Sequence, residues 1–220
     1  MKLPKSSQSG FTLVEIAIVL VIIGILLAGV LKGQSLINNS RIKGLVNNMN
    51  AVSSAYNGYV DRYQAVPGTE SRVTTTARGW VLGVNGPAAA TPLTAALLPP
   101  GTTFATAGTQ TNFWDVLGAA GFFAVSPLTL VNPTSANGGA IGVSYNTYAL
   151  SGLVVCLNNL PPQIAEGVDV VIDGPLPTTN VGNNAGSVQG TTTVPPVVGA
   201  PGAAPYVETA AVVWNLCKTV

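Results

Sequence analysis

The segment that decides the fold is residues 6–29, SSQSGFTLVEIAIVLVIIGILLAG. It is strongly apolar, yet Glu15 stands near its start, in a run that otherwise has no charge from residue 6 to residue 31. An ionised carboxylate in bilayer hydrocarbon costs roughly 2.5–3.5 kcal/mol. A helix that served only as an anchor would therefore carry another apolar residue there. We expect Glu15 to lie at the membrane interface or to have a cationic partner.

Three interpretations fit this N-terminus. A secretory signal would have a weak cleavage site at residues 26–28, but the apolar run over residues 16–31 is long for such a signal. A plain membrane anchor would use residues 11–31, about 31 Å of helix at roughly 1.5 Å per residue. In the third interpretation a short basic leader is removed and the apolar helix is kept. That cut would create a free amine at Phe11, four residues from Glu15.

The third interpretation is favoured by a resemblance. The residues Gly10-Phe11-Thr12-Leu13-Val14-Glu15 and the following IAIVLVIIGILLAG resemble the prepilin cleavage motif of type IV pilins and type II secretion pseudopilins. The resemblance implies that a prepilin peptidase cuts between Gly10 and Phe11 and that Phe11 is then N-methylated. It also implies that Glu15 pairs with the Phe11 amine of a neighbouring subunit. The alternative, in which Glu15 snorkels to the headgroups, suits its short side chain poorly.

The apolar pattern continues beyond the membrane segment. Its spacing of alternating threes and fours predicts a helical seam that ends before Pro67-Gly68. The seam consists of Ile42, Leu45, Met49, Val52, Tyr56, Tyr59 and Tyr63. One helix should thus run from Phe11 to about Tyr63, roughly 80 Å at 1.5 Å per residue. Its second half should pack on a globular domain rather than form a coiled coil, because a long chain follows it.

The predicted organisation has four parts. They are a leader peptide at residues 1–10, a transmembrane half-helix at 11–31, an amphipathic continuation at 32–66 and a globular head domain at 67–220. The fold class expected from the resemblance is α+β and pilin-like. A long N-terminal α-helix with a transmembrane first half packs on a small antiparallel β-sheet domain, which has a disulfide-closed C-terminal loop.

Within the head domain the sequence predicts short elements. Strands are expected at residues 140–143, 147–155, 168–172 and 207–213. A helix is expected over residues 112–123, with Asn112 as a candidate cap and Phe113, Trp114, Leu117 and Phe122 in the core. Residues 174–207 contain no charged residue and are rich in Gly, Pro, Thr and Asn, which predicts a loop.

The two cysteines, Cys156 and Cys217, both follow the membrane segment. Together with export they favour a disulfide in an oxidising compartment, and two free buried thiols are the alternative. The bond would close a loop of about 60 residues and stabilise the fold by roughly 4 kcal/mol. Such a bond also resembles the C-terminal disulfide region of many type IV pilins.

The residue content argues against several functional classes. There is no His, so a Ser/His or Cys/His nucleophile is impossible, and the net charge of +1 indicates no nucleic acid partner. Glu166, Asp169 and Asp173 could form a calcium site, as some pseudopilins do in a C-terminal loop, but their spacing matches no motif. We expect solvent-facing acids beside a strand instead. No catalytic residue, metal site or cofactor is predicted.

The predicted function is that of a structural subunit of a type IV pilus-like filament, not an enzyme. The expected partners are other pilin-like subunits, in a homo- or hetero-filament, the prepilin peptidase, inner-membrane lipid and the assembly platform. The protein should cross the inner membrane once before assembly and lie in a periplasmic or cell-surface filament afterwards. The alternatives are a type II secretion pseudopilin and a non-assembling, membrane-anchored binding module. The cysteine pair favours a pilus, and major or minor status stays open.

Overall fold

The computed structural model describes residues 10, 12–80, 98, 100–104, 109–125, 131–175, 186–192, 206 and 212–220. The helices are α1 (Leu13–Tyr63), α2 (Arg72–Ala77), α3 (Thr109–Ala119) and α4 (Pro162–Asp173), with a 3₁₀ turn at Pro100–Thr102. The strands are β1 (Ile141–Tyr145), β2 (Leu153–Leu160), β3 (Val188–Thr191) and β4 (Trp214–Thr219). The chain divides into a first unit, residues 1–40, and a second unit, residues 41–220, and α1 contributes to both.

The predicted fold class is confirmed. A long N-terminal helix is followed by a four-stranded sheet of order β1-β2-β4-β3, in which every neighbouring pair is antiparallel. Cys156 of β2 lies directly opposite Cys217 of β4 in the strand register. A disulfide joins them across 61 residues of sequence. The bond therefore links the last strand to a central strand of the sheet.

The seam predicted for the second half of α1 is the centre of the core. Leu45, Met49, Val52 and Tyr59 are completely buried, and the seam positions at its flanks pack against the same core. Fully burying one such side chain stabilises a fold by roughly 1.5–3 kcal/mol. The other core side chains come from α3, α4 and one face of the sheet, and they include Phe113, Trp114, Leu117, Val155, Leu157, Ile164 and Leu216. The sheet and α1 thus share a single hydrophobic core.

The opposite face of the sheet carries a smaller cluster. Alternation along β2 directs Val154 and Cys156 away from the main core, because successive side chains of a strand point to opposite faces. Tyr148 and Leu150 from the β1–β2 connection cover them, and Phe104 packs at the edge. The disulfide is therefore enclosed, with both sulfur-bearing residues completely buried.

One predicted strand is wrong, because the structure has a helix there. Residues 168–172 are the last turns of helix α4, which begins with Pro162 at its first position. Pro is favoured there because the first helical N–H has no intrahelical partner. Ile164, Ala165 and Val168 then recur at helical spacing and are buried together. The β-branched residues near the helix end suggested a strand, but the tertiary contacts of this face stabilise a helix.

The remaining differences concern element boundaries. Helix α3 begins at Thr109, so Asn112 lies inside it, and the Asn112 side chain donates to the carbonyl of Gly68. β2 begins at residue 153 because Tyr148 and Ala149 have positive φ angles, which interrupt an extended strand. β3 lies within the stretch predicted to be a loop. The strand predicted at 207–213 falls largely outside the described residues, and β4 begins at Trp214.

A partly buried ion pair attaches the chain after α1 to the end of that helix. The carboxylate of Glu70 accepts hydrogen bonds from the Tyr59 hydroxyl and, at 2.8 Å, from the guanidinium of Arg78. The same guanidinium lies 4.4 Å from the ring centre of Tyr63 and 5.0 Å from that of Trp80. Arg78 therefore joins a charge pair to an aromatic cluster, which holds the turn after α1 in place.

The sequence predicted that the acids of α4 face solvent, but one of them, Asp169, is buried. Asp169 is 1% exposed and accepts a hydrogen bond of 2.8 Å from the Tyr206 hydroxyl. The Tyr206 ring in turn lies 4.6 Å from the Trp214 ring. Burial raises the pKa of Asp169 to about 6, the Tyr206 hydrogen bond opposes this rise, and the charges of Asp173 and Glu166 add to it. Asp169 is thus a buried anchor rather than a surface acid.

We predict that the disulfide supplies a large part of the stability of the second unit. Replacing both cysteines (Cys156→Ala with Cys217→Ala) should lower the free energy of unfolding by about 4 kcal/mol, because the unfolded chain loses its closed loop. Urea unfolding of the full chain in detergent, followed by tryptophan fluorescence, measures the change. As a control, native unreduced protein should show no reactive thiol until it is unfolded with reductant. Two alkylatable thiols in protein never exposed to reductant would contradict the assignment.

Asp169 should make stability depend on pH. Its pKa is raised from 3.8 to about 6 in the folded state, so the folded protein binds this proton more tightly. The contribution of this group to stability is therefore complete below pH 4 and is lost as the pH rises through 6. Asp169→Asn keeps an oxygen acceptor for Tyr206 but cannot ionise. It should raise the free energy of unfolding at pH 7.5, on the order of 2 kcal/mol, and change it little at pH 4.

Urea unfolding at both pH values measures this difference. Glu166→Gln is the matched control, since it removes one nearby charge but leaves the buried carboxyl in place. This control should retain most of the pH dependence. If Asp169→Asn were instead less stable than the wild type at pH 7.5, the ionised carboxylate would be the form that the core requires.

Candidate processing and assembly site

The first part of α1 is apolar and exposed in the structure. Its best 18-residue window has a mean hydropathy of 3.0, and none of that window is buried inside the protein. Among the described residues, α1 is the one helix that is long and apolar enough to cross a membrane. A core helix of a soluble protein would be mostly buried, whereas Leu20, Ile25 and Leu31 are each more than 60% exposed. This surface therefore suits lipid or other apolar helices.

Glu15 and Thr12 form a reciprocal hydrogen-bonded pair at the start of α1. The Thr12 backbone N–H and hydroxyl donate to Oε2 of Glu15, at 2.8 Å and 2.9 Å. The backbone N–H of Glu15 in turn donates to the Thr12 hydroxyl at 3.2 Å. This is a capping box, in which the residue before the helix and the third helical residue satisfy one another's free N–H groups. A carboxylate in the first turn also interacts favourably with the helix dipole.

A role was expected for Glu15 from the sequence, but none was expected for Thr12. The signal was present as Thr-x-x-Glu directly before an apolar run, which is the usual pattern of a capping box. The hydrogen bonds direct the carboxylate toward the N-terminal end of the helix. Among the described residues, no cation lies within ion-pair distance of Glu15. The box therefore orients this carboxylate without neutralising its charge.

The two residues at the predicted cleavage point differ in what the structure describes. Gly10 is exposed, and no atom of the residues that the structure describes lies within 4 Å of a Cβ atom built on it. The described part of the chain therefore sets no steric requirement for glycine at this position. Phe11 lies outside the described residues, so its predicted methylation and its predicted pairing with Glu15 stay predictions.

Two acidic residues of α4, Asp169 and Asp173, accept hydrogen bonds from different parts of the chain. Asp169 binds Tyr206, whereas Asp173 accepts hydrogen bonds from the Ser187 hydroxyl and, at 2.7 Å, from the Val188 backbone N–H. Asp173 thereby holds the start of β3. Within the described ranges, no group of three or more His, Cys, Asp or Glu side chains is arranged to hold a metal ion. Asp169 and Asp173 thus serve internal structure.

The comparisons with known proteins agree with the position of this site. Residues 5–31 match the family model described as the prokaryotic N-terminal methylation motif. Neither the search of curated proteins nor the search of solved structures found a match. The matched residues include Gly10, Thr12 and Glu15 and end within the exposed apolar part of α1. The chain therefore carries the N-terminal methylation motif that is the signature of type IV pilin and pseudopilin precursors.

Proposed function

We propose that this chain is the precursor of a structural subunit of a type IV pilus-like filament. Prepilin peptidase cuts it between Gly10 and Phe11 and methylates Phe11, and the mature chain assembles through the apolar half of α1. One observation carries the proposal: the methylation motif is continuous with the exposed apolar part of α1, residues 13–31, in which Glu15 is the single carboxylate. A filament of packed helices would cover the apolar surface that the single chain leaves exposed.

The charge of Glu15 supports a link between processing and assembly. A lone carboxylate in hydrocarbon is costly, and the cost falls if a cation is close. Cleavage before Phe11 creates such a cation, the new amino group, at the same end of the helix to which the capping box directs the carboxylate. Pairing between the amine of one subunit and Glu15 of the next would relieve both charges. The uncut precursor has no amine at this position and could not form the pair.

The proposed location follows from the same helix. The exposed apolar stretch would hold the subunit in the inner membrane as a single-pass protein before assembly. Assembly would transfer it into a filament with other pilin-like subunits, with the help of an assembly platform. The Cys156–Cys217 bond suits a domain that lies on the oxidising side of that membrane. Shearing cells distinguishes a surface pilus, which is released, from a periplasmic secretion pseudopilus, which is retained.

The first test concerns processing. Gly10→Val should block cleavage, because the peptidase requires a small residue at this position, whereas no residue that the structure describes would contact the added Cβ atom. Intact-mass measurement of the membrane fraction should show wild-type protein without residues 1–10 and with one added methyl group. Gly24→Val is the matched control, since Gly24 is equally open but lies within the helix, and it should be processed normally. Wild-type protein that begins at Met1, or after Ala28, would refute the processing step.

The second test separates a filament subunit from a simple anchor. Glu15→Leu removes the charge that lipid disfavours, so the variant should enter the membrane at least as well as the wild type. A filament subunit would nevertheless assemble poorly without its charge pair, and Glu15→Val should behave alike. Glu15→Asp keeps the charge on a shorter side chain and should be partly active. The amount of each protein in sheared filaments, with cleavage checked by mass, is the measurement.

Two outcomes of this test would contradict different parts of the proposed function. Cleaved Glu15→Leu protein in filaments at the wild-type level would remove the pairing role from Glu15. Wild-type protein that never assembles, even when it is produced with its pilus or secretion machinery, would favour an anchored binding module instead.

A further inference from the structure

Three cations follow the apolar part of α1 along the helix. They are Lys32, Arg41 and Lys43, and we call them the cationic collar. Each is exposed, and none forms an ion pair with another residue that the structure describes. The sequence contains no acidic residue between Glu15 and Asp61, so this part of α1 supplies no anion to neutralise the collar. Three like charges therefore stand next to a helix surface that suits lipid.

The cationic collar surrounds the helix and does not form a single face. At roughly 100° per residue, Lys32 and Lys43 fall on one side of α1 and Arg41 falls on the opposite side. Arg41 and Lys43 lie about 14 Å and 17 Å beyond Lys32 along a helix that rises 1.5 Å per residue. A protein neighbour would cover one side of a helix, whereas a lipid layer surrounds it. The distribution of the three charges therefore favours a lipid partner.

Helix geometry brings the outer two charges of the collar closer to the apolar stretch. Each Cα–Cβ bond of an α-helix tilts toward the N-terminus, so a long side chain covers the turn before its own residue. The charged groups of Arg41 and Lys43 are then about one turn, roughly 5 Å, nearer to the apolar stretch than their Cα atoms. The polar layer on each side of a bilayer is about 5–8 Å thick. Salt screens charges only beyond about 8 Å more, so the whole collar can interact with headgroups when Lys32 lies at the hydrocarbon edge.

Two exposed apolar side chains lie between the charges of the collar. Leu36 and Ile37 are 60% and 55% exposed, although they follow the apolar stretch that ends at Leu31. Residues 32–43 therefore combine cations, exposed apolar side chains and neutral polar residues. This composition is typical of a segment at a membrane interface, where apolar side chains enter the boundary of the acyl chains and cations contact the headgroups.

We propose that the cationic collar binds the phosphate groups of anionic phospholipids in the membrane leaflet that faces the head domain. This inference rests on the proposed function, which places the apolar half of α1 in the membrane before assembly. The hydrocarbon layer ends near Lys32, and Leu36 and Ile37 lie at its boundary. Each Lys or Arg near an anionic surface is stabilised by its negative potential, whereas a zwitterionic lipid carries no net charge. The collar therefore selects anionic lipid and fixes the depth of the waiting subunit in the membrane.

Lipid selectivity tests this contact. The full chain is reconstituted in phosphatidylcholine vesicles with a trace of spin-labelled phosphatidylglycerol or spin-labelled phosphatidylcholine, and electron paramagnetic resonance measures how much of each label the protein holds. The wild type should favour phosphatidylglycerol about threefold or more at low salt, and this preference should fall as salt is added. Arg41→Gln with Lys43→Gln should lose most of the preference, and further addition of Lys32→Gln should abolish it. Arg62→Gln with Arg72→Gln is the matched control, since it removes two exposed charges outside the collar and should keep the preference.

A depth measurement on otherwise unaltered chains keeps the inference testable if the charge variants fold poorly. Ile37→Cys provides one reactive thiol for a fluorescent label, because Cys156 and Cys217 are bonded to each other. Lipids with a quencher in the upper acyl chain should quench this label strongly. The matched control is Asn47→Cys, which is exposed and lies about 15 Å further along the helix, and its label should be quenched little. A label at residue 37 that is quenched no more than the control would overturn the proposed depth.

The possible results separate this inference from the proposed function. Protein that an alkaline wash removes from the vesicles would overturn the membrane location, and the proposed function with it. Retained protein that holds both labels equally would overturn the lipid contact alone, as would a preference that the control variant also loses. Carbodiimide cross-links from Lys43 to a carboxylate of a second chain, in vesicles without lipid preference, would assign the collar to a protein partner and would overturn the contact as well.

Discussion

The interaction on which the rest of the structure depends is the burial of the α1 seam against the sheet. A four-stranded sheet with one apolar face needs a partner layer, because exposed apolar surface of that size is unfavourable in water. Leu45, Met49, Val52 and Tyr59 provide the centre of that layer, and α3 and α4 complete it. The core residues of the sheet, such as Val155 and Leu216, therefore cannot be buried without the helix. The same helix begins with the exposed apolar stretch, so anchor and core belong to one continuous element.

Three specific contacts hold the segments that the seam does not reach. The Arg78–Glu70 pair fixes the turn after α1, the disulfide joins β4 to β2, and the Asp169–Tyr206 hydrogen bond attaches Tyr206 to α4. In a chain with only 8% charged residues, each buried charge is conspicuous. Buried charges are costly unless they are paired and hydrogen-bonded. Here Glu70 has a cation, whereas Asp169 has the Tyr206 hydroxyl as its donor and a pKa that burial raises to about 6, so the core accommodates the two carboxyls in different ways.

Glu15 is a third kind of carboxylate, because it stands on an apolar surface. Its capping box with Thr12 satisfies hydrogen bonds and sets the direction of the side chain, but supplies no positive charge. A group that is oriented yet not neutralised is suited to receive a partner from outside the chain.

Much of the candidate site and the plan of the fold could be predicted from the sequence, because the relevant signals are local. The motif around Gly10 and Glu15 is a contiguous string, and the start, end and buried face of α1 follow from spacing along one helix. Two cysteines allow a single intramolecular pairing, so the disulfide needed no knowledge of the sheet. The capping role of Thr12 was also local and could have been found.

The tertiary structure alone decided the features that depend on distant partners. Residues 168–172 have the β-branched content of a strand, yet they form helix α4 because Ile164, Ala165 and Val168 are buried in a shared core. Asp169 is buried because Tyr206, 37 residues away, reaches it. β3 is a strand because β4 pairs with it, although its own sequence carries no alternation of apolar and polar residues. Local sequence specifies backbone preference and the period of a helix, whereas burial and strand pairing are set by which surfaces meet in the folded chain.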